Sequence, residues 1–222
     1  MRGLFITFEG VEGSGKSTQL RRLAESLRRT GQPVLETREP GGTALGEAIR
    51  SVLLSARNRD MTPETELFLY LACRAQLTRD VIAPALREGI IVLCDRFADA
   101  TLVYQGYGRG LDLHLIAAMN RLATGDVMPD LTLLLDLDPG EGLNRVKERR
   151  QVSLLDPALD RLEAEALEFH DRVRKGYLTL AEKEPQRFRV IDARGSEETV
   201  AQRIRGEVEV LIDTWVLQGG RR

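Results

Sequence analysis

Apolar residues along this chain fall into short runs separated by longer amphipathic stretches. Leu4–Phe8, Val34–Thr37, Ile90–Cys94, Leu131–Leu135 and Phe188–Ile191 have strand length and are mostly apolar, as strands covered on both faces should be. Helical spacing predicts helices over Thr18–Arg29, Ala44–Leu54, Pro63–Leu86, Leu113–Ala123, Pro139–Arg149, Leu159–Glu182 and Glu197–Leu217. Strand and helix alternate, which predicts an α/β fold with a largely parallel sheet. Several boundaries have local causes. Gly31 stops the first helix. Thr62-Pro63 and Asp138-Pro139 each set a capping side chain before a proline at the first helical position. Ser196-Glu197-Glu198 puts a cap and two acids at the positive end of the last helix. Gln151 to Ala158 breaks helical periodicity and is expected to be a mobile excursion, and Gly219-Gly220-Arg221-Arg222 is expected to fray. No repeat or long linker interrupts the pattern, so one domain over 1–222 is expected.

Chemistry enters between the first strand and the first helix. Gly10 to Ser17 reads G-V-E-G-S-G-K-S, a full match to the phosphate-loop pattern G-x-x-x-x-G-K-[S/T]. Glycines let the backbone curl until its N–H groups converge on phosphate oxygens. The helix starting near Lys16 adds its positive end to the same anion site. Lys16 can reach the β- and γ-phosphates, and the Ser17 hydroxyl can ligate Mg²⁺. A glycine-rich turn with a chance lysine is the bland alternative. The flanking strand and helix argue against it.

Four further clusters are candidates. Asp95-Arg96-Phe97 follows the third strand, at the edge where open α/β sheets bind ligands. The carboxylate can orient Mg²⁺ or its waters and the guanidinium can fork a phosphate; a surface ion pair is the other reading. Arg38-Glu39-Pro40-Gly41-Gly42-Thr43, with Arg50 on the next helix, is either a wall for a second phosphate-bearing substrate or a tight turn with solvated charges. Tyr70 and Arg74 share a helical face and could stack on and hydrogen-bond a planar base, or serve as core packing and an exposed ion pair. Arg145-Val146-Lys147-Glu148-Arg149-Arg150 either delivers cations to a transferring phosphoryl group or solvates a helix end. The loop residues Val11-Glu12-Gly13-Ser14 contain no arginine, so a catalytic cation has to come from elsewhere.

Composition narrows the classes. With 42% hydrophobic and 30% charged residues, the chain reads as a soluble globular enzyme. Net charge is −2, from 32 basic against 34 acidic side chains, so no bulk affinity for nucleic acid or an anionic membrane is expected. Cys73 and Cys94 form no C-x-x-C pair and His114 and His170 sit near neither, which predicts no zinc site and reduced thiols. The first apolar run ends at Glu9, too short for a signal peptide, and no run reaches membrane-spanning length. A cytoplasmic location is expected.

Taken together, these segments resemble the bacterial-type thymidylate kinases of the nucleoside monophosphate kinase group. The resemblance rests on F-E-G-V-E-G-S-G-K-S-T at Phe8–Thr18, T-R-E-P-G-G-T at Thr37–Thr43, L-A-C-R-A-Q at Leu71–Gln76, D-R-F at Asp95–Phe97, Y-Q-G at Tyr104–Gly106, G-R-G at Gly108–Gly110, P-D-L-T at Pro129–Thr132 and D-R-L-E at Asp160–Glu163. It implies a three-layer α/β/α phosphate-loop fold with a five-stranded parallel sheet and a mobile lid at about 145–160. It also implies transfer of the γ-phosphoryl of MgATP to dTMP, giving dTDP and ADP, in a protein that is usually a homodimer. Gly10, Val11, Glu12, Gly13, Ser14, Gly15, Lys16, Ser17 and Thr18 would bind ATP, with Mg²⁺ at Ser17 and Asp95. Glu12 would lie near the acceptor's sugar hydroxyl. Arg38, Arg50 and Arg96 would surround the acceptor phosphate and transferring group. Tyr70 would stack on thymine, Arg74 would donate to a thymine carbonyl, and Thr101, Tyr104 and Gln105 would line the base and sugar pocket. Arg149 and Arg150 look like lid arginines, although the long segment from Arg150 to Asp160 leaves Arg145, Arg149, Arg150 and Arg161 all open. A kinase for another monophosphate and a regulatory nucleotide switch are the alternatives. No N-K-x-D motif supports a GTPase.

Overall fold

Five strands, β1 (Phe5–Glu9), β2 (Val34–Arg38), β3 (Ile91–Asp95), β4 (Leu131–Asp136) and β5 (Phe188–Asp192), form one sheet in the order β2-β3-β1-β4-β5. Every neighbouring pair is parallel. The computed structural model describes residues 2–152 and 160–217. Most of the expected excursion at 151–158, part of the expected lid at 145–160, and the terminal 219–222 lie outside the described residues.

Each strand ends one residue beyond its apolar run, on a charged side chain: Glu9, Arg38, Asp95, Asp136 and Asp192. The ladder continues through that residue, as the pairs Arg38↔Asp95 and Asp136↔Asp192 show. Five charges therefore stand along the carboxyl edge, where ligands bind in open α/β sheets. β1 is central and β3 and β4 flank it. The segment leaving β1 thus emerges at the point where the chain's direction of winding reverses.

Alternation on β1 and β3 divides the core between two faces. Ile6, Phe8, Ile91 and Leu93 pack with Leu20, Leu23, Ala24 and Leu27 of α1 (Lys16–Arg29) and with Val200, Ile204 and Val208 of α9 (Glu197–Leu217). Phe5, Val92 and Cys94 pack with Leu77, Ile82, Ala85 and Leu86 on the other face. The four α1 residues recur at i, i+3, i+4 and i+7, which is why that segment buries one stripe.

Helix α2 (Ala44–Leu54) forms as the sequence reads, but the expected helix over 63–86 does not run unbroken. Helix α3 (Pro63–Leu77) passes through a π-helical turn, Thr78–Ile82, into α4 (Ala83–Arg87). Pro84 is the cause: it has no N–H to donate and its ring crowds the preceding turn, so the ladder widens there. The sequence also hides α5 (Ala98–Thr101) and the π-helical Leu102–Gly108 before α6 (Leu113–Thr124). Helix α7 spans Pro139–Val152, and α8 begins at Leu167 and ends at Lys183, not at 159. Asp160 starts a turn instead, its Oδ1 accepting from the Leu162 and Glu163 N–H groups, both at 2.9 Å.

The expected caps form. Thr62 Oγ1 accepts from Thr65 N–H at 3.3 Å, Asp138 Oδ1 from Glu141 N–H at 3.1 Å, and Ser196 Oγ from Thr199 N–H at 3.1 Å.

Candidate active site

The phosphate loop joins β1 to α1, and three of its glycines carry it. Gly10, Gly13 and Gly15 have φ values of 140°, 71° and 94°, which side-chain-bearing residues rarely adopt. Gly15 sits at the α1 N-cap without a side-chain cap, so the first N–H groups of the helix face the loop. Lys16 curls back over the turn, its Nζ donating to Val11 O at 2.8 Å and Gly10 O at 3.1 Å. Burial, with Arg96 nearby, lowers its pKa to about 8. The lysine thus stays mostly charged at neutral pH while held by carbonyls that a phosphate would replace.

Ser17 Oγ donates to a carboxylate oxygen of Asp95, so the end of β3 meets the start of α1. Arg96 follows with φ 70°. Its guanidinium lies 4.7 Å from the Tyr104 ring centroid and donates to Glu12 Oε1 at 2.7 Å and Tyr177 Oη at 3.1 Å. Glu12 also accepts from the Tyr104 hydroxyl at 3.1 Å. Desolvation alone would raise the Glu12 pKa, but Arg96 and then Lys16 overcome it and bring it down to about 2. Glu12 is therefore ionised throughout the working pH range.

Glu12, Lys16, Ser17, Asp95 and Arg96 form the floor of a cleft of about 440 Å³. On one side stand Arg38, Glu39, Pro40, Arg50 and Tyr70; on the other, Arg145, Val146, Ala193, Gly195 and Glu197. Arg149, Asp160 and Glu163 also face it. Arg38 is held by Glu47 at 2.9 and 3.0 Å, and Arg50 donates to Pro40 O at 2.8 Å.

Of the residues expected to bind an acceptor, Glu12, Arg38, Arg50, Tyr70 and Arg96 line the cleft; Arg74, Thr101, Tyr104 and Gln105 do not. Arg74 is only 1% exposed and all its donors are engaged. It bonds Glu39 Oε2 at 2.6 and 2.9 Å, Thr101 Oγ1 at 2.8 Å, Asn120 Oδ1 at 2.7 Å and Phe97 O at 3.0 Å. The other Glu39 oxygen has no hydrogen-bond partner among the described residues. Gln105 is buried and donates to Glu66 at 2.7 Å.

The four arginines left open by sequence separate cleanly. Arg161 is buried, bonded to Leu53 O at 3.0 Å and paired with Glu66. Arg145 lines the far end and pairs with Glu141. Arg150 is paired with Glu163 and does not line the cleft. Arg149 is exposed on the cleft wall.

Sequence reading missed several contributors. Gly142 on α7 presses against the loop: a Cβ on Gly13 would lie 2.0 Å from Gly142 O, and one on Gly142 would lie 2.1 Å from Glu12 O. Two glycines, Gly140 and Gly142, in the first turn of a helical pattern were the available signal. Ala193 and Gly195 come from the β5–α9 connection, which carries no motif, and Glu197, read from sequence only as a helix-start acid, opens α9. Glu9 and Tyr177, both buried, touch the site from behind.

The thymidylate kinase family profile matches residues 8–204. The thymidylate kinase of Desulfosudis oleivorans is 54% identical over 210 residues, covering 95% of this chain and 98% of that one. That of Geobacter sulfurreducens is 54% identical over 202 residues, covering 90% and 93%. A crystal structure of thymidylate kinase from Ehrlichia chaffeensis superposes with a TM-score of 0.74 at 35% identity, covering 94% of this chain and 99% of the other. With a phosphate loop, a serine–aspartate pair and an arginine-rich second wall all in place, the chain belongs to the thymidylate kinase family.

Proposed function

We propose that this chain transfers the γ-phosphoryl group of ATP to dTMP, giving dTDP and ADP. The observation that carries this reading is the two-sided cleft over one phosphate loop, with Arg38, Arg50 and Tyr70 on one wall and the β5–α9 connection on the other. A loop built only to hold a nucleotide has no need of a second cationic wall. An acceptor phosphate oxygen attacks the γ-phosphorus, the bond to the β–γ bridging oxygen breaks, and ADP leaves with the electron pair. Negative charge spreads over the moving group, so catalysis is mainly positioning and charge stabilisation.

Lys16 exchanges its loop carbonyls for β- and γ-phosphate oxygens. Arg38, Arg50 and Arg96 surround the acceptor phosphate, and the ionised Glu12 accepts from the sugar hydroxyl. Tyr70 stacks on the base. Arg74 supports that wall from behind by fixing Glu39, because its donors are already taken; Thr101, Tyr104 and Gln105 belong to the same supporting layer. Ser17 and Asp95 supply hard oxygen donors side by side, which suits Mg²⁺ held by few protein ligands plus phosphates and water. Bound there, the ion would neutralise charge on the phosphates. Arg149 is assigned the cation delivered by a lid at about 145–160.

Two coarser expectations extend to the whole protein. Exposed Leu45, Phe68, Leu115 and Leu122 on α2, α3 and α6 support a homodimer. No helix among the described residues is long and apolar enough to cross a membrane, and a cytoplasmic location fits that.

ADP release measured across nucleoside monophosphates tests the reading. dTMP is expected to give the highest turnover; comparable rates with AMP or GMP and none with dTMP would overturn it.

A further inference from the structure

Arg96 is a non-glycine residue with φ 70°, in a region where side-chain-bearing residues are uncommon and strained. Such a conformation persists only where its surroundings over-determine it. Glu12 and the Tyr104 ring hold the guanidinium from the cleft side, and behind it stands one buried carboxylate, Glu9. The Arg96 N–H is fixed to Phe8 O at 3.0 Å, and the next peptide, Phe97 N–H, donates to Glu9 Oε1 at 2.8 Å. The other oxygen, Glu9 Oε2, accepts from the Tyr177 hydroxyl at 2.6 Å. A phenol has one proton. With that proton given to Glu9, the Tyr177 oxygen is left as an acceptor, and Arg96 donates to it at 3.1 Å. Glu9 thus grips the backbone just after Arg96 directly and the guanidinium tip through Tyr177. Neither residue lines the cleft, and they are 0% and 1% exposed. They come from β1 and α8, far apart in the chain, and the fold brings them together directly behind this arginine.

We propose that Glu9 and Tyr177 are positioning residues for Arg96, setting the direction in which its remaining N–H donors face the phosphate loop. The inference rests on the reading that Arg96 meets the acceptor phosphate. The polarity of the hydrogen-bond chain is the essential feature: carboxylate accepts from phenol, and phenol accepts from guanidinium. Glu9→Gln turns one end into an N–H donor and conflicts with that order. Tyr177→Phe keeps the ring in the core and removes the link.

The test uses the full chain at pH 8, above the Glu9 carboxyl pKa, which burial raises to about 7. kcat is measured for wild type, Tyr177→Phe, Glu9→Gln and the double variant, with calorimetric affinities for dTMP and thymidine. Each single variant is expected to lose about ten- to hundredfold in kcat, the size of a hydrogen bond to a charged group. dTMP affinity is expected to fall while thymidine affinity holds, since only the phosphate contact changes. The double variant should be no worse than the poorer single, as for members of one network. Wild-type kcat in Tyr177→Phe, equal losses for dTMP and thymidine, or additive losses in the double variant would overturn the proposal. If Glu9→Gln does not fold, the dTMP-to-thymidine ratio in Tyr177→Phe decides alone. Wild-type protein inactive on dTMP would remove the functional reading and this inference together; active wild type with unaffected variants would remove only the inference.

Discussion

Three charged side chains meet at the phosphate loop with their ionisation already biased: Lys16, Glu12 and Arg96. Lys16→Ala removes the only lysine of the loop and is expected to lower kcat by about 10²–10³, the cost of one preorganised donor at a developing charge. A steady-state assay with saturating ATP checks it. Arg149 and Arg150 are neighbours in sequence but not in role. Arg149→Ala should cost at least about tenfold more in kcat than Arg150→Ala, because only Arg149 faces the cleft; Arg150→Ala should show mainly as lost stability through Glu163. Glu9 gives a pH signature. Burial raises its pKa from 4.5 to about 7, with Arg96 opposing. A carboxyl whose folded pKa is raised adds stability below its unfolded pKa and loses it as pH rises through the folded value. Wild-type Tm should therefore fall relative to Glu9→Gln between pH 5 and pH 8, by the equivalent of on the order of 3 kcal/mol. Parallel Tm curves for the two proteins would contradict this. At this scale the loop, Asp95-Arg96 and Arg38 were legible because each lies at a strand end beside a turn signal. Tyr177 was not, because a tyrosine on an amphipathic helix looks like any core residue until the fold brings it to Glu9.

At the scale of elements, the contact between α7 and the phosphate loop has the clearest consequence. Gly142 lies within a helix, where glycine costs about 1 kcal/mol against alanine. On propensity alone Gly142→Ala would stabilise the protein. The Cβ would instead sit 2.1 Å from the Glu12 carbonyl oxygen, backbone that cannot yield without moving the loop. Overpacking of this kind costs about 1–3 kcal/mol, so a net loss of stability is expected, with weaker ATP binding in a calorimetric titration. Higher Tm with unchanged ATP affinity would show that α7 can withdraw without disturbing the loop. The strands were readable to within one residue: β1, β3 and β4 because burial on both faces leaves near-continuous apolar runs, and the more exposed edge strands β2 and β5 because Val34-Leu35 and Val190-Ile191 still stand out between polar neighbours. Helix irregularity was less readable. Pro84 was a signal that the unbroken helix expected over Pro63–Leu86 passed over, and the π-helical turn at Thr78–Ile82 is the form the disturbance takes. Leu102–Gly108 gave no such sign, because its widened turns are held by tertiary partners such as Gln105–Glu66 that no local pattern encodes.

For the whole molecule, the outer faces of α2, α3 and α6 are the feature that the isolated chain leaves unexplained. Phe68, Ala72 and Ala75 form an exposed stripe along α3 at helical spacing, with Phe68 58% exposed. Leu45 on α2 and Leu115 and Leu122 on α6 are 53%, 57% and 86% exposed. Singly exposed leucines are ordinary, but several on three helices packed against one another are the ground for the proposed interface. A stripe with alanines at its centre lets a second helix approach closely, as a twofold pairing of α3 with its own copy requires. Next to that stripe, on the buried face of α3, lie Leu67, Leu71 and Arg74, the last of which anchors Glu39 on the cleft wall. Pairing would therefore stiffen the acceptor wall without any residue of one copy entering the other's cleft. Light scattering of the wild-type chain is expected to give twice the chain mass. Phe68→Glu places two like charges at the symmetry axis and should give a monomer that keeps its helical content, with KM for dTMP raised more than KM for ATP. A wild-type monomer would end the dimer reading, and a Phe68→Glu dimer would move the interface off α3.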